Sequence, residues 1–97
     1  MKYIKKAMPI EAFQYKGDFT IPIWAIKAYK DGLLYFKDDG SLYIHTLKGE
    51  MKCDLNSYIV QGVRGEIYPC RQDIFEETYM AVEEWRKEYL LVLQLSS

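Results

Sequence analysis

The amino-acid sequence predicts an α+β domain: an antiparallel sheet of about five or six strands, with one helix inserted near 21–31, a short helix near 72–79 and a C-terminal helix from about 82. Two patterns carry that reading. Short runs alternate apolar and polar residues, and turns rich in Gly, Asp or Asn separate them at spacings too short for crossovers, so neighbours pair antiparallel. Elsewhere the apolar residues switch to helical spacing. With 97 residues and 49% apolar composition the chain makes one domain with a real core. Residues 1–80 hold that domain, and 81–97 form a C-terminal helical extension.

Residues 2–6 and "IEAFQY" (10–15) alternate as strands do, on either side of Pro9. "KGDFT" is a turn. In "IPIWAIKAYKDG" (21–32) Pro22 suits a first helical turn, Ile23, Ile26 and Lys27 fall at helical spacing, and Gly32 can close the helix as its C-cap. "LLYFKDDGSLYIHTL" is the clearest hairpin, with Asp38-Asp39-Gly40-Ser41 at its tip. A turn at Lys48-Gly49-Glu50 leads into "MKCDL", and Asn56-Ser57 leads into "YIVQ". "GVRGE" (62–66) turns the chain into "EIYPC", where Pro69 has no N–H to donate and must lie at an edge or a strand end. "DIFEETY" sets Ile74 and Tyr79 near the two ends of a short helix whose acidic start suits the helix dipole. Phe75 and Tyr79 are expected to seal the core. In the tail Val82, Trp85, Tyr89 and Val92 follow a 3, 4, 3 spacing, with Glu83, Glu84, Arg86, Lys87 and Glu88 on the other face.

Composition limits the function classes. A formal charge of −1 leaves no general basic footprint for nucleic acid. Cys53 and Cys70 form no Cys-x-x-Cys pair, and with one His the chain cannot assemble an ordinary structural zinc site, so neither metal nor cofactor is expected. "MKYIKKAMPIEAF" lacks the apolar stretch of a signal peptide, and "YLLVL" (89–93) is far too short to span a bilayer. A cytoplasmic protein with reduced thiols is expected.

"YIVQGVRGEIYPCRQDIFEETY" resembles the C-terminal signature of a family of small phage and prophage proteins, in which a segment of the "DYIIKGVKGEFYPCKPDIFEKTYE" kind closes the domain. "MKYIKKAMPIEAFQYKGD", "IPIWAIKAYKDGLLYF" and "LYIHTLKGEM" are similar to the family's earlier segments, so the resemblance covers roughly residues 1–80. The chain departs from it at Asn56-Ser57, where the family usually shows Gly-Asp, and at Gln72, where it often shows Pro. "AVEEWRKEYLLVLQLSS" lies outside the pattern. The resemblance implies phage origin, and with it the host cytoplasm, and a shared fold; it implies no chemistry.

Catalysis is not expected. A nucleophile and base would have to be Cys53 or Cys70 with His45 and a third orienting group, and "DD" and "EE" look like a turn and a solvated helix face. Binding is better supplied. Arg64 in a glycine turn and Arg71 before the Asp73 helix start are candidate anion ligands, and Tyr68, Tyr15 and Trp24 are candidate stacking partners for a base. Together they suit a nucleotide-like ligand; alternatively the same residues form a core edge with two solvated arginines. Trp85, Tyr89 and Val92 either pack on the sheet or meet a second copy or a host protein, and a homo-oligomer is expected. Two functions follow. One is a counter-defence binder that inhibits a host immune system by sequestering a nucleotide-derived signal or by occupying a host defence protein. The other is a structural or assembly accessory of the phage.

Overall fold

Six strands and three helices form among the described residues of the computed structural model, which are 1–3, 8–18 and 22–96 without the side chains of 88, 89, 92, 93, 95 and 96. In chain order they are β1 (Glu11–Gln14), α1 (Ile23–Lys30), β2 (Leu34–Phe36), β3 (Leu42–Thr46), β4 (Gly49–Cys53), β5 (Tyr58–Gln61), β6 (Ile67–Cys70), α2 (Gln72–Thr78) and α3 (Val82–Ser96). The class is α+β and every strand pairing is antiparallel. Of the strand expected over 2–6, residues 4–6 lie outside the described residues, and 2–3 are not in a strand.

The single sheet expected from the sequence is instead two three-stranded sheets, ordered β1-β5-β6 and β2-β3-β4. The division falls at the bend after Cys53. Asn56 adopts φ +73°, a left-handed conformation that asparagine tolerates better than other residues with a Cβ, and it turns the chain away from β4. The Tyr15 N–H then donates to the Ser57 carbonyl at 2.8 Å, and the Asn56 N–H to the Tyr15 carbonyl at 2.8 Å. Thus β5 extends a ladder with β1 rather than with β4.

The meander β2-β3-β4 has local causes. Gly40, at φ +85°, closes the 37–41 turn, in which its N–H reaches the Lys37 carbonyl at 2.9 Å. The next turn is centred on Leu47 and Lys48, not on Lys48-Gly49-Glu50, because Thr46 pairs directly with Gly49. The Thr46 hydroxyl donates to the Gly49 carbonyl and accepts from the Lys48 N–H, at 2.7 and 3.1 Å. Pro69 sits in β6, an outer strand of its sheet, as a residue without an N–H must.

Helix α1 starts after Pro22, which is its N-cap, and ends at Asp31 with Gly32 just beyond. Gly32 has φ +81°, and the Gly32 and Leu33 N–H groups return to the Tyr29 and Ala28 carbonyls at 3.1 and 2.9 Å. That paired closure satisfies carbonyls the helix end would otherwise leave open.

One core joins the two sheets, since β6 lies against both β3 and β4. It gathers Tyr15, Ala25, Ala28, Leu34, Leu42, Ile44, Cys53, Ile59 and Ile67, with Phe13 and Trp24 packed on it. Along β3 the period of two is plain: Leu42 and Ile44 are buried, while Tyr43 and His45 face outward. Among the described residues helix α3 contributes nothing to this core and makes no extended packing against another element. The radius of gyration is 16.3 Å and the longest axis 58 Å, whereas a compact chain of this length has a radius near ~12.5 Å. The projecting helix accounts for the excess. Among the described residues no helix is long and apolar enough to cross a membrane.

Candidate functional site

The residues expected to bind a nucleotide do not converge. Arg64 lies in the β5–β6 turn and Arg71 follows β6, so the strand separates them by roughly 20 Å of extended chain. Arg64 is exposed, and its guanidinium makes no ion pair among the described residues. The turn's N–H groups, however, are largely committed. Those of Gly62 and Gly65 donate to the Glu66 and Gly62 carbonyls at 2.8 and 2.9 Å, and that of Arg64 to the Glu66 carboxylate at 3.0 Å. The anion at this turn is therefore the chain's own. The Glu66 side chain lies so close over Gly62 that a Cβ there would meet a carboxylate oxygen. At the other end of β6, Arg71 pairs with Asp73 at 2.9 Å beside a helix of only two turns.

Nor are the aromatic candidates open platforms. Tyr15 is 4% exposed and belongs to the core, so its ring cannot receive a base. Trp24 packs edge-on against Phe13, centroids 5.5 Å apart, and its buried indole N–H has no partner among the described residues. Tyr68 is half-buried, and its hydroxyl is pushed up to about 12 by burial and by a hydrogen bond with Tyr79.

His45 and Cys53 sit on opposite faces of their sheet, and Cys70 belongs to the other sheet, so these residues form no nucleophile–base pair. Burial, then the charge of Asp54, pushes the Cys53 thiol up to about 12. Among the described residues no group of three or more His, Cys, Asp or Glu is placed to hold a metal ion.

On the outer face of β2-β3-β4, Tyr35 stacks on its cross-strand partner Tyr43, with His45 beside Tyr35. Lys37 stands 3.9 Å over the Tyr43 ring and pairs with Glu50 at 2.6 Å, while the Tyr35 hydroxyl donates to the same carboxylate. Lys37, followed by Tyr35, holds Glu50 below the usual carboxylate range. Every charge here is answered locally, which makes the cluster a clasp across three strands.

The surface left without a partner among the described residues is elsewhere. Residues 8–12, the start of β5, α2 and the start of α3 enclose a groove of about 550 Å³. Its floor is a run of rings: Tyr58 and Phe75 stack with centroids 3.9 Å apart and planes 9° apart, and Tyr79 follows Phe75 at 4.9 Å. Met8, Ile10, Met80 and Val82 add apolar walls, and the charged lining is Glu76 and Glu84. Among the described residues no Lys or Arg lines it. Such a site repels phosphate and favours an apolar or basic occupant. Met8, Met80, Val82 and Trp85 are exposed, so the apolar surface runs from the groove onto α3. The side chains of Tyr89 and Val92 lie outside the described residues, but their positions continue the helical stripe.

Phe75 and Tyr79, expected to seal the core, lie outside it and line the groove instead, because α2 carries them against Tyr58 at the sheet's edge. Tyr58 was hidden because its partner is fixed by register: β5 and β6 pair Tyr58 with Cys70, which brings it beside α2. Comparison with protein-family models, with curated proteins and with solved structures finds no match for the chain.

Proposed function

We propose that this protein is a non-enzymatic accessory of phage or prophage origin, a counter-defence binder that works in the host cytoplasm by occupying a host protein. One observation carries the binding half of that reading: an aromatic-floored groove, with no cation in its lining among the described residues, runs onto the exposed Met80, Val82 and Trp85 at the start of α3. An apolar surface of that continuity suits a protein partner. The phage setting rests on the family resemblance of residues 1–80. In the alternative reading, the same surface serves phage assembly. The test is affinity purification of the full chain from infected, defence-active cells, compared with Met80→Glu, which places a charge at the groove. A host defence component retained by the first and lost by the second supports the reading. Retention of the same proteins by both removes the groove from it, and enrichment of virion proteins alone favours assembly.

A second reading, a phosphate-bearing nucleotide ligand, is favoured only by Arg64, an exposed cation on a tight turn with no ion-pair partner among the described residues. Calorimetry with cyclic nucleotides and ADP-ribose derivatives tests it. Binding that falls about tenfold in Arg64→Ala supports it, since a charge-assisted hydrogen bond contributes roughly 1.5–3 kcal/mol; no heat at millimolar ligand sinks it.

A further inference from the structure

We infer that the groove takes a basic–apolar–basic segment of a partner protein: an apolar side chain seated on the ring floor, flanked by Lys or Arg that meet Glu76 and Glu84. It rests on reading the groove as a protein-docking site, and names the chemistry of what docks there.

Charge is the first ground. From Gln72 to Glu84 the chain carries Asp73, Glu76, Glu77, Glu83 and Glu84, with no Lys, Arg or His among them. The whole chain sets 14 acidic residues against 13 basic ones, so the imbalance is local to this surface. Asp73 is already answered by Arg71 at 2.9 Å. The four glutamates are not. Among the described residues no cation lies within ion-pair distance of any of them, Arg86 and Lys87 in the next turn of α3 included. Glu76 accepts from the Gln72 amide at 3.3 Å, a neutral contact that leaves its charge uncompensated.

Residue order is the second ground. In "EETYMAVEE" (76–84) two glutamate pairs bracket an apolar centre, and the fold keeps that order at the groove. Glu76 comes from α2 and Glu84 from α3, and Tyr79, Met80 and Val82 line the groove between them. Met80 and Val82 are exposed. The opposite wall, within residues 8–12, gives the lining apolar residues and no charge. A segment complementary to this pattern carries its own apolar side chain between two cations. A purely apolar segment would strip water from Glu76 and Glu84 and put nothing in its place.

The floor is the third ground, because it is set before anything binds. Phe75 is held by Tyr58 at 3.9 Å, and Tyr79 by Phe75 at 4.9 Å and by a hydrogen bond with Tyr68. Rings already fixed lose little freedom when an apolar side chain settles on them. Aromatic faces also attract ammonium and guanidinium groups, so the floor suits the flanking cations as well as the anchor.

The test pans a randomised peptide display library on the full chain and on two variants of it. Glu76→Lys with Glu84→Lys reverses the lining charge, whereas Met80→Ser with Val82→Ser removes apolar surface and leaves the charge as it was. All four positions are exposed, so both variants should keep the thermal midpoint of the core. Peptides enriched on the unaltered chain should carry an apolar or aromatic residue with Lys or Arg on both sides. They should bind the lysine variant about tenfold more weakly, since reversal turns two modest attractions into repulsions. The serine variant should weaken them about as much, roughly tenfold, through lost apolar contact, and added salt should weaken them too. Enriched peptides that lack cations, or that ignore the lysine changes, overturn the basic occupant; if the serine changes still release them, the docking site stands without it. Basic peptides that ignore the serine changes are held by charge alone and overturn the inference as well. Finding no peptide sensitive to either variant overturns both occupant and docking site. Light scattering covers the other occupant: a mass that doubles from 11.5 kDa, and returns to it in the serine variant, puts a second copy in the groove and overturns the basic segment.

Discussion

Tyr58 on β5 and Phe75 on α2 stack face to face at 3.9 Å, and this contact fastens a two-turn helix to the sheet. Helix α2 has no buried residue of its own and no side-chain cap at its start, so the ring pair with Tyr79 behind it is what orders the helix. Phe75→Ala should cost about 2 kcal/mol, below the usual cost for a fully buried ring because Phe75 is half-exposed. Phe75→Leu should recover about half of that. Urea unfolding midpoints are the measure, and a Phe75→Ala midpoint equal to wild type would show that the stack contributes nothing.

The indole N–H of Trp24 is buried with no hydrogen-bond partner among the described residues. A buried unmet donor costs about 1–3 kcal/mol, so deleting it offsets part of the volume lost. Trp24→Phe should therefore be close to neutral, within ~1 kcal/mol, while Trp24→Ala should cost about 3 kcal/mol by leaving a cavity beside Phe13. If Trp24→Phe were as damaging as Trp24→Ala, the N–H would have to be doing bonding work.

Backbone conformation sets the next expectation. Asn56 stands at φ +73°, with its side-chain carbonyl accepting from Lys16 at 3.0 Å. Asn56→Gly should be nearly neutral, because glycine takes that conformation freely but loses more entropy on folding. Asn56→Val should lose about 1–2 kcal/mol or more. Equal stability of the three proteins by thermal unfolding would contradict the bend.

Stability should fall on the alkaline side. Burial raises Cys53 to about 12 and Tyr68 to about 12, and it also raises Tyr15 and Cys70. These groups are held in their neutral forms by the fold, with folded values above the ordinary 9.0 of a thiol and 10.0 of a phenol. Their contribution is therefore complete below the ordinary values and is lost as pH rises toward about 12. The thermal midpoint should be level from neutral pH to about 9 and then decline, and Cys53→Ala should soften the first part of the decline. A level midpoint up to about pH 12 would contradict this assignment.

Much of the fold can be read from the sequence because its signals are local. Asp38-Asp39-Gly40-Ser41, the "GVRGE" turn and the Gly32 helix end each specify themselves within a few residues. The partition into two sheets was not readable, since it depends on β5 choosing β1 over β4, and alternation says only which residues share a face. The ligand residues failed for a related reason. Arg64 and Arg71 are near in sequence, but an extended strand lies between them, and Glu66 folding back onto its own turn has no sequence signature. Tyr15 has the same residue type as the groove's Tyr58, and only packing assigns one to the core and the other to a surface.

The pairing of β1 with β5 also orders events in time. Glu11 is matched with Gln61, fifty positions further along the chain, whereas β2, β3 and β4 are joined by turns of a few residues. Closing so long a loop costs entropy that a hairpin does not, and distant contacts slow folding. On a growing chain the meander can close while β1 is still waiting, because the strand that receives β1 has not yet been made. The first strand synthesised is thus among the last to be placed, and substitutions in Glu11–Gln14 should slow refolding less than substitutions in the meander that must form before it.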